Sequence, residues 1–292
     1  MSTEKLIVVL GPTASGKSEL AKKLVKEFGG EIVSADSRQI YKGMDIGTAK
    51  QKNSPVPHHL IDILKPNQKF NVTLYKKLAV KKIKEILDRG KLPFLAGGTG
   101  FYIKSVVDGI IIPEVKPDWK LRKQLDKKAI SELASWLKKL DPVRFRTIDV
   151  NNRRRLIRAL EIVLKTNRPV PKPRKAPFSL DILIIGIKTD KEELKNKIVK
   201  RVKKMIGLGL KKEVEVLTEK YGWEAPAFQS IGYQEWKGYF ERKKSLEEVK
   251  NEIIKNTWQY AKRQLTWFKK DKRIRWVKNY EDAENLVLKF IQ

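Results

Sequence analysis

Cysteine is absent from this chain of 292 residues, and histidine occurs only twice. The lack of cysteine excludes disulfide bonds, thiolate metal sites and a cysteine nucleophile. Long apolar runs are also lacking: no segment approaches the roughly 18 residues that predict a membrane-spanning helix. The first apolar run, Leu6 to Leu10, is too short for the core of a signal peptide. We therefore expect a cytoplasmic protein that does not enter a membrane.

Acidic residues are too few to balance the basic ones. The chain has 64 Lys and Arg against 34 Asp and Glu, a net charge of +30. The excess is densest in segment 110–180, which has 19 basic and 7 acidic residues and includes the arginines of NNRRRLIRAL. A charge of this size and sign indicates a polyanionic partner such as a nucleic acid.

Short apolar strands alternate with helical patterns along most of the chain. The predicted strands are KLIVVL, EIVSA, LPFLA, DILIIGI and RIRWV. This alternation predicts an α/β fold with a parallel sheet flanked by helices, which binds ligands at the carboxyl ends of its strands. The strand pattern disappears in the middle of the chain. We expect the first part of the core over residues 1–112, an all-helical insertion domain closed by the proline-rich RPVPKPRKAP over 113–179, and the rest of the core with C-terminal helices over 180–292.

The sequence GPTASGKS follows the first strand and precedes a helical pattern. Strand, glycine-rich loop and helix is the context in which Gly-x-x-x-x-Gly-Lys-Ser binds phosphates, so we expect a P-loop NTPase-like core. Backbone N–H groups point at the anion, Lys17 adds a positive charge, and the Ser18 hydroxyl is a ligand for Mg²⁺. These contacts recognise two phosphates, whatever group is attached to them. The predicted diphosphate-binding residues are Gly11, Pro12, Thr13, Ala14, Ser15, Gly16, Lys17 and Ser18.

A carboxylate follows the second predicted strand, in IVSADSRQIYKG. A P-loop enzyme that transfers a phosphoryl group holds its magnesium with an aspartate at the end of a further apolar strand. LPFLA ends instead in Gly97-Gly98-Thr99-Gly100, and Asp36 is the aspartate that follows a strand. From position alone, Asp36 has three possible roles: a magnesium ligand, a helix cap or a general base.

Seven motifs carry a resemblance to a known family. They are, in chain order, GPTASGKS, SADSRQIYKGMDIGTAK, PHHLIDI, LAGGTGFY, RRLIRALEI, SIGYQE and AKRQLTWF. From Leu6 to Phe268 the chain resembles the bacterial tRNA dimethylallyltransferases, also called tRNA isopentenyltransferases, of the IPP transferase family. The resemblance implies that a dimethylallyl group passes from dimethylallyl diphosphate to N6 of the adenosine at tRNA position 37, beside the anticodon. No phosphoryl group moves, so we expect weak ATP binding without ATP consumption.

The resemblance also implies roles for single residues. Asp36 is implied as the base that accepts a proton from the adenine amine. Thr99 and Arg201 are implied as catalytic groups that stabilise the leaving diphosphate. Ser37, Arg38, Gln39, Gly232 and Tyr233 match tRNA-contacting stretches, and Arg122 matches a position near the tRNA.

Helical spacing adds basic residues to the predicted RNA-binding surface. Arg154 and Arg158 lie four apart, opposite Leu156, and the C-terminal apolar stripe that starts at Trp258 leaves Lys262 free for phosphates. We expect the tryptophans here to belong to the core. The complete predicted tRNA-binding set is Asp36, Ser37, Arg38, Gln39, Thr99, Arg122, Arg154, Arg155, Arg158, Gly232, Tyr233, Lys262, Arg263 and Gln264.

Three other functions fit parts of the sequence: an adenylate isopentenyltransferase acting on free AMP, a P-loop kinase, and a non-catalytic RNA-binding module. The basic insertion argues against the first, and the module would need neither Lys17 nor Asp36. The expected partners are dimethylallyl diphosphate and the tRNA anticodon stem-loop, with the chain acting as a monomer. His58 and His59 lack a metal-ligand spacing, and we expect them to pack beside the active site.

Overall fold

The structure is a computed structural model that describes residues 4–51, 54–113, 115–172, 174–176 and 179–292. Pro173 and Pro177 of the predicted linker lie outside the described residues. The elements are, in chain order, β1 (Lys5–Leu10), α1 (Lys17–Phe28), β2 (Glu31–Ser34), β3 (His58–His59), α2 (Val72–Leu87), β4 (Pro93–Gly97), α3 (Gly100–Val107), β5 (Ile110–Ile111), α4 (Trp119–Asp126), α5 (Ile130–Leu140), α6 (Pro142–Thr147), α7 (Arg153–Thr166), β6 (Arg174–Lys175), β7 (Asp181–Ile187), α8 (Lys191–Gly207), α9 (Leu210–Tyr221), α10 (Lys237–Phe240), α11 (Leu246–Phe268), β8 (Arg275–Val277) and α12 (Tyr280–Ile291).

The core is a parallel sheet with the strand order β3-β2-β4-β1-β7-β8. Strand β1 lies inside it, between β4 and β7, and Ile7, Val8 and Val9 are fully buried. A strand covered by helices on both faces is apolar on both sides, which explains its continuous apolar run. The predicted α/β fold with a parallel sheet is confirmed, and each of the five predicted strands forms.

Strand β3 is the element that the sequence pattern missed. It comprises only His58 and His59, which pair with Ile32 and Val33 at the edge of the sheet. Two polar residues have no apolar alternation, so they give no strand signal.

The sheet brings three chain segments to one edge. The glycine-rich loop follows β1, Asp36 follows β2, and Thr99 follows β4. Because these strands are parallel, their carboxyl ends meet at the same edge. The topology therefore assembles the predicted site from segments that lie far apart in the sequence.

The chain divides into two compact units. The first comprises Met1–Gly109 and Pro177–Gln292, and the second comprises Ile110–Ala176. The second unit starts and ends three residues earlier than predicted. It was expected to be all-helical, but it also contains strands. Strands β5 and β6 form an antiparallel pair within it, with Ile110 opposite Lys175. Helices α4, α5 and α7 bury its separate core, whose fully or nearly fully buried members include Leu125, Leu133, Leu137, Leu156 and Leu160.

The C-terminal half of the first unit builds a second core beside the sheet. Helices α8, α9 and α11 contribute to it, and Tyr233 and Trp236 are fully buried there. The predicted apolar stripe of α11 packs inward, with Ala261 and Phe268 buried. No helix in the described part of the chain has both the length and the apolar character needed to cross a membrane.

Candidate active site

The phosphate loop ends at the N-terminus of α1. Gly16 has a φ of 91°, which favours glycine, and helix α1 starts at the next residue. Among the described residues no side chain caps this helix end. Its first N–H groups are therefore available to an anion, and the helix dipole favours negative charge there.

Gln264 of helix α11 fixes the phosphate loop. Its side-chain oxygen accepts the N–H of Thr13 at 2.8 Å, and its side-chain NH₂ donates to the carbonyl of Gly98 at 2.7 Å. Gln264 is buried. The side chain thus joins the loop after β1 to the turn after β4. Both ends of the Gln264 amide are engaged inside the protein, so the structure shows a bracing role, and the tRNA contact of Gln264 stays a prediction.

Two cations and one carboxylate line the pocket beside this loop. Arg201 donates to the Thr13 hydroxyl at 3.2 Å, and Lys17 donates to the Pro12 carbonyl at 3.2 Å. Burial lowers the pKa of Lys17 to about 8; the Asp36 charge opposes this shift and the Arg201 charge adds to it. Burial also lowers the pKa of Arg201, against the opposing effect of Asp36. Two cations and one carboxylate in one pocket favour binding of an anion that carries more than one charge.

Asp36 caps the turn that follows β2. Its Oδ1 accepts the N–H of Arg38 at 2.8 Å and that of Gln39 at 3.4 Å. Its Oδ2 accepts no hydrogen bond from the residues that the structure describes. A capping role is therefore present, at a turn instead of a helix, and the second carboxylate oxygen remains free to act on a ligand.

Tyr260 lines the same pocket, and Thr99 follows Gly97 at its edge. The Thr99 hydroxyl accepts the N–H of Ser37 at 3.1 Å, which ties the turn after β4 to the turn after β2. Burial, with a contribution from Asp36, raises the pKa of the Tyr260 hydroxyl to about 12, although the nearby Thr99 opposes this shift. Tyr260 was not among the residues predicted from the sequence. Its spacing of four residues before Gln264 places both on one face of α11, which was the available signal.

The pocket contains residues from several of these segments. It is lined by Thr13, Lys17, Ser18, Asp36, Gln39, Thr48, Ala49, Ala96, Gly97, Arg201, Tyr260 and Gln264. Among the described residues, no three His, Asp or Glu side chains are grouped as ligands for a metal ion. A cation in this pocket would therefore depend on Ser18, Asp36 and the oxygens of a bound ligand.

Two of the predicted tRNA-binding arginines serve the interior of the second unit. Arg122 forms a paired hydrogen bond with the carboxylate of Glu161, at 2.8 and 2.7 Å. Arg158 also donates to this carboxylate, and to the Val115 carbonyl at 3.0 Å. Glu161 is fully buried. A buried carboxylate requires positive partners, and both guanidinium groups are directed to it. Contact of Arg122 and Arg158 with tRNA stays a prediction.

Other predicted basic residues remain on the surface. Arg154 is exposed and has no ion-pair or hydrogen-bond partner in the described ranges, and Arg155 lies 4.0 Å from Asp149. Lys262 lies over the Trp258 ring at 5.8 Å, and Arg263 lies over the Tyr260 ring at 6.0 Å. Exposed cations of this kind are suited to phosphate contacts.

Gly232 and Tyr233 lie inside the second core. Tyr233 is fully buried and donates its hydroxyl to Glu213 at 2.6 Å, and the Gly232 N–H donates to Glu235 at 2.8 Å. The Tyr233 side chain does not reach the surface, and a tRNA contact at this turn stays a prediction.

The two histidines differ in their surroundings. His58 lines a small pocket that also contains Ser18, which agrees with the expected position beside the active site. His59 contacts the carboxylate of Glu31 at 2.6 Å. Burial alone would raise the pKa of Glu31, but hydrogen bonds from His59, Arg89 and Lys91 lower it to about 2.

Comparisons with known proteins agree on one family. A family model described as IPP transferase matches residues 39–271. The tRNA dimethylallyltransferase of Acetivibrio thermocellus is 42% identical over 98% of this chain and 96% of its own, and that of Carboxydothermus hydrogenoformans is 43% identical over 99% and 97%. Among solved structures, the tRNA isopentenylpyrophosphate transferase of Bacillus halodurans has a TM-score of 0.74 at 36% identity, covering 99% of this chain and 95% of that one. A eukaryotic dimethylallyltransferase acting on tRNA has a TM-score of 0.80 at 25% identity, covering 99% and 77%.

Proposed function

This chain belongs to the IPP transferase family, and we propose that it transfers a dimethylallyl group from dimethylallyl diphosphate to N6 of the adenosine just 3′ of the anticodon of tRNA. The products are N6-isopentenyladenosine and diphosphate. The observation that carries this proposal is the convergence of the phosphate loop, Arg201 and Asp36 on one pocket, with Thr99 bonded to the turn that carries Asp36.

The donor diphosphate binds at the glycine-rich loop, residues 11–18. Its oxygens accept hydrogen bonds from the free N–H groups at the start of α1 and face the charges of Lys17 and Arg201. As the allylic carbon–oxygen bond breaks, negative charge grows on the leaving diphosphate. Preorganised cations and donors stabilise that charge most in the transition state, which is the origin of the rate gain.

A magnesium ion fits this site as a companion of the diphosphate. The Ser18 hydroxyl lies in the pocket that contains Asp36, and Mg²⁺ binds through few protein ligands together with phosphate oxygens and water. The ion supplies further positive charge for the leaving group. Ser18 would hold it, with Asp36 as the nearest candidate carboxylate.

Asp36 acts as the general base. The adenine amine is a weak nucleophile, and its protons become acidic as nitrogen bonds to the allylic carbon. The Asp36 carboxylate has one oxygen engaged with the turn and one oxygen free to accept a proton. The balance is complete: a carbon–nitrogen bond forms, a carbon–oxygen bond breaks, and the proton passes to Asp36.

The proposed tRNA-binding surface combines the turn beside the base with exposed basic side chains. The proposed contacts are the turn of Ser37 and Arg38 beside the base, and the exposed residues Arg154, Arg155, Lys262 and Arg263. The target adenosine must leave its stack to reach Asp36, and unstacking costs least in a single-stranded anticodon loop.

Replacing Asp36 by Asn tests the mechanism. Asn keeps the oxygen that caps the turn but is no base, so the single-turnover rate with tRNA and donor both saturating should fall about 10²- to 10⁴-fold. Donor labelled in its prenyl group, offered with unmodified tRNA or with AMP, identifies the acceptor. Label transferred to AMP instead of tRNA would indicate the adenylate enzyme, and ATP consumption in step with product would indicate a kinase. A near-normal rate for Asp36→Asn would show that Asp36 is only structural.

A further inference from the structure

We propose that Glu213 is a positioning residue for this transfer: it holds residues 36–50, here called the base loop, in the conformation that presents Asp36 to the pocket. The inference rests on the proposed role of Asp36 as the base. Glu213 lies on helix α9, and no pattern in the sequence distinguishes it from the other acidic residues of that helix.

Three successive backbone groups of the base loop donate to the Glu213 carboxylate. The N–H groups of Asp45 and Ile46 donate to Oε2 at 2.9 and 2.7 Å, and that of Gly47 donates to Oε1 at 3.0 Å. The Tyr233 hydroxyl is a fourth donor, at 2.6 Å from Oε1. One carboxylate thus satisfies a turn whose N–H groups point in one direction, in the manner of an anion in a backbone nest.

This turn is connected to the base at both ends of the loop. Asp36 and Gln39 line the pocket from the start of the loop, and Thr48 and Ala49 line it from the end. The Gln39 side chain donates to the Thr48 carbonyl at 3.2 Å, and the Gln39 N–H donates to Asp36. Movement of the turn at 45–47 therefore passes to Asp36 through residues that are already in contact.

Tyr233 supports the same arrangement from the core. A Cβ added to Gly47 would lie about 2.5 Å from the Tyr233 ring, so only glycine allows the turn to approach it. The motif SIGYQE, which the sequence associates with tRNA contact, thus contributes a buried residue that holds Glu213. Its influence on the reaction is indirect, through the base loop.

A carboxylate is required because every neighbour of Glu213 in this arrangement is a donor. Glutamine in its place would direct an NH₂ group at one of these donors, and two donors cannot form a hydrogen bond. The turn would then shift or lose part of its anchoring. A misplacement of about 1 Å at the reacting groups is enough to cost up to roughly 100-fold in rate.

Glu213→Gln is the decisive variant, with Glu215→Gln as its control. Glu215 lies on the same helix and pairs with Lys212 at 2.8 Å on the exposed side. For Glu213→Gln we expect the single-turnover rate, at saturating donor and tRNA, to fall about 10- to 100-fold. The affinity for inorganic diphosphate should stay within about twofold, because Gln264 and not Glu213 braces the phosphate loop. Glu215→Gln should match the parent in both. Circular dichroism at the assay temperature corrects the rates for the folded fraction.

The double variant Asp36→Asn/Glu213→Gln tests the route of the effect. If Glu213 acts by positioning Asp36, its loss should change the rate by less than about twofold once the base is absent. A parent-like rate for Glu213→Gln, or additive losses in the double variant, would overturn the inference. A parent-like rate for Asp36→Asn alone would instead overturn the proposed base. If Glu213→Gln does not fold, Tyr233→Phe is the alternative variant, because it removes one of the four donors. It should lower the rate about 3- to 10-fold without changing the diphosphate affinity. An unchanged rate would count against the inference.

Discussion

Arg154 and Arg158 lie one helical turn apart on α7, yet the structure predicts opposite effects for their loss. Arg158 donates to the buried carboxylate of Glu161 and to the Val115 carbonyl, whereas Arg154 is exposed. Replacing Arg158 by Ala should therefore reduce stability, and replacing Arg154 by Ala should reduce RNA affinity. The two variants remove the same side chain and the same charge, so each is the matched control for the other.

The size of the Arg158→Ala effect follows from its contacts. A hydrogen bond to a charged group contributes about 1.5–3 kcal/mol. Full loss of a partner from a buried ion pair costs about 3–5 kcal/mol, but Arg122 still holds Glu161 through two bonds after this substitution. We therefore expect the free energy of unfolding to fall by about 2 kcal/mol, measured by urea denaturation. The dependence of log tRNA affinity on log salt should stay unchanged, since no phosphate contact is lost.

Arg154→Ala should give the reverse result. Loss of one phosphate contact lowers the salt slope by about one unit and weakens binding of all substrate tRNAs alike. The free energy of unfolding should change by less than about 0.5 kcal/mol, as expected for an exposed side chain. Filter binding between 50 and 200 mM salt, roughly the range over which phosphate contacts are visible, measures the slope. A salt slope that falls with Arg158→Ala but not with Arg154→Ala would refute the assignment of these two residues.

The remaining predictions concern the donor site and the edge of the sheet. Lys17→Ala should weaken binding of inorganic diphosphate about 10- to 100-fold, measured by calorimetry, because one charged hydrogen bond is lost. The affinity for tRNA should stay unchanged. An equal loss of both affinities would place Lys17 outside the donor site. The pKa of Glu31 is about 2 in the folded protein against 4.5 ordinarily. Its ionised carboxylate therefore adds about 3 kcal/mol to the free energy of unfolding above pH 4.5, and this stabilisation is lost as the pH falls towards 2. Glu31→Gln should accordingly lower stability at pH 7 and flatten its decline over this range in urea titrations; a parallel decline in both proteins would contradict the role of Glu31.

The sequence was sufficient for the sheet and for the phosphate loop because their signals are local. The apolar run before Gly11, and the glycines and lysine after it, fix a strand, a turn and a helix without reference to distant residues. Asp36 and Thr99 follow from the same logic, since parallel strands bring their carboxyl ends together. These residues could be located in advance for that reason.

Residues whose role depends on distant partners could not be located in the same way. Glu161 lies within the apolar run LEIVL, and a carboxylate on a buried helix face does signal a buried ion pair, but the sequence does not name its partners. Arg158 has the spacing of an exposed residue and is instead directed to Glu161. Gln264 and Glu213 contact backbone groups more than 160 positions away. Such contacts are products of the tertiary fold and leave no periodicity in the chain.

The brace formed by Gln264 also determines how late in synthesis the donor site can form. Gln264 follows its partner Thr13 by 251 positions. At about 5–20 residues per second, a ribosome needs roughly 13 to 50 s to cover that distance. Strand β1 likewise pairs with β7, which is synthesised only after the whole second unit. A nascent chain that ends before α11 therefore carries the glycine-rich sequence without its brace, and the donor site forms only when translation is almost complete.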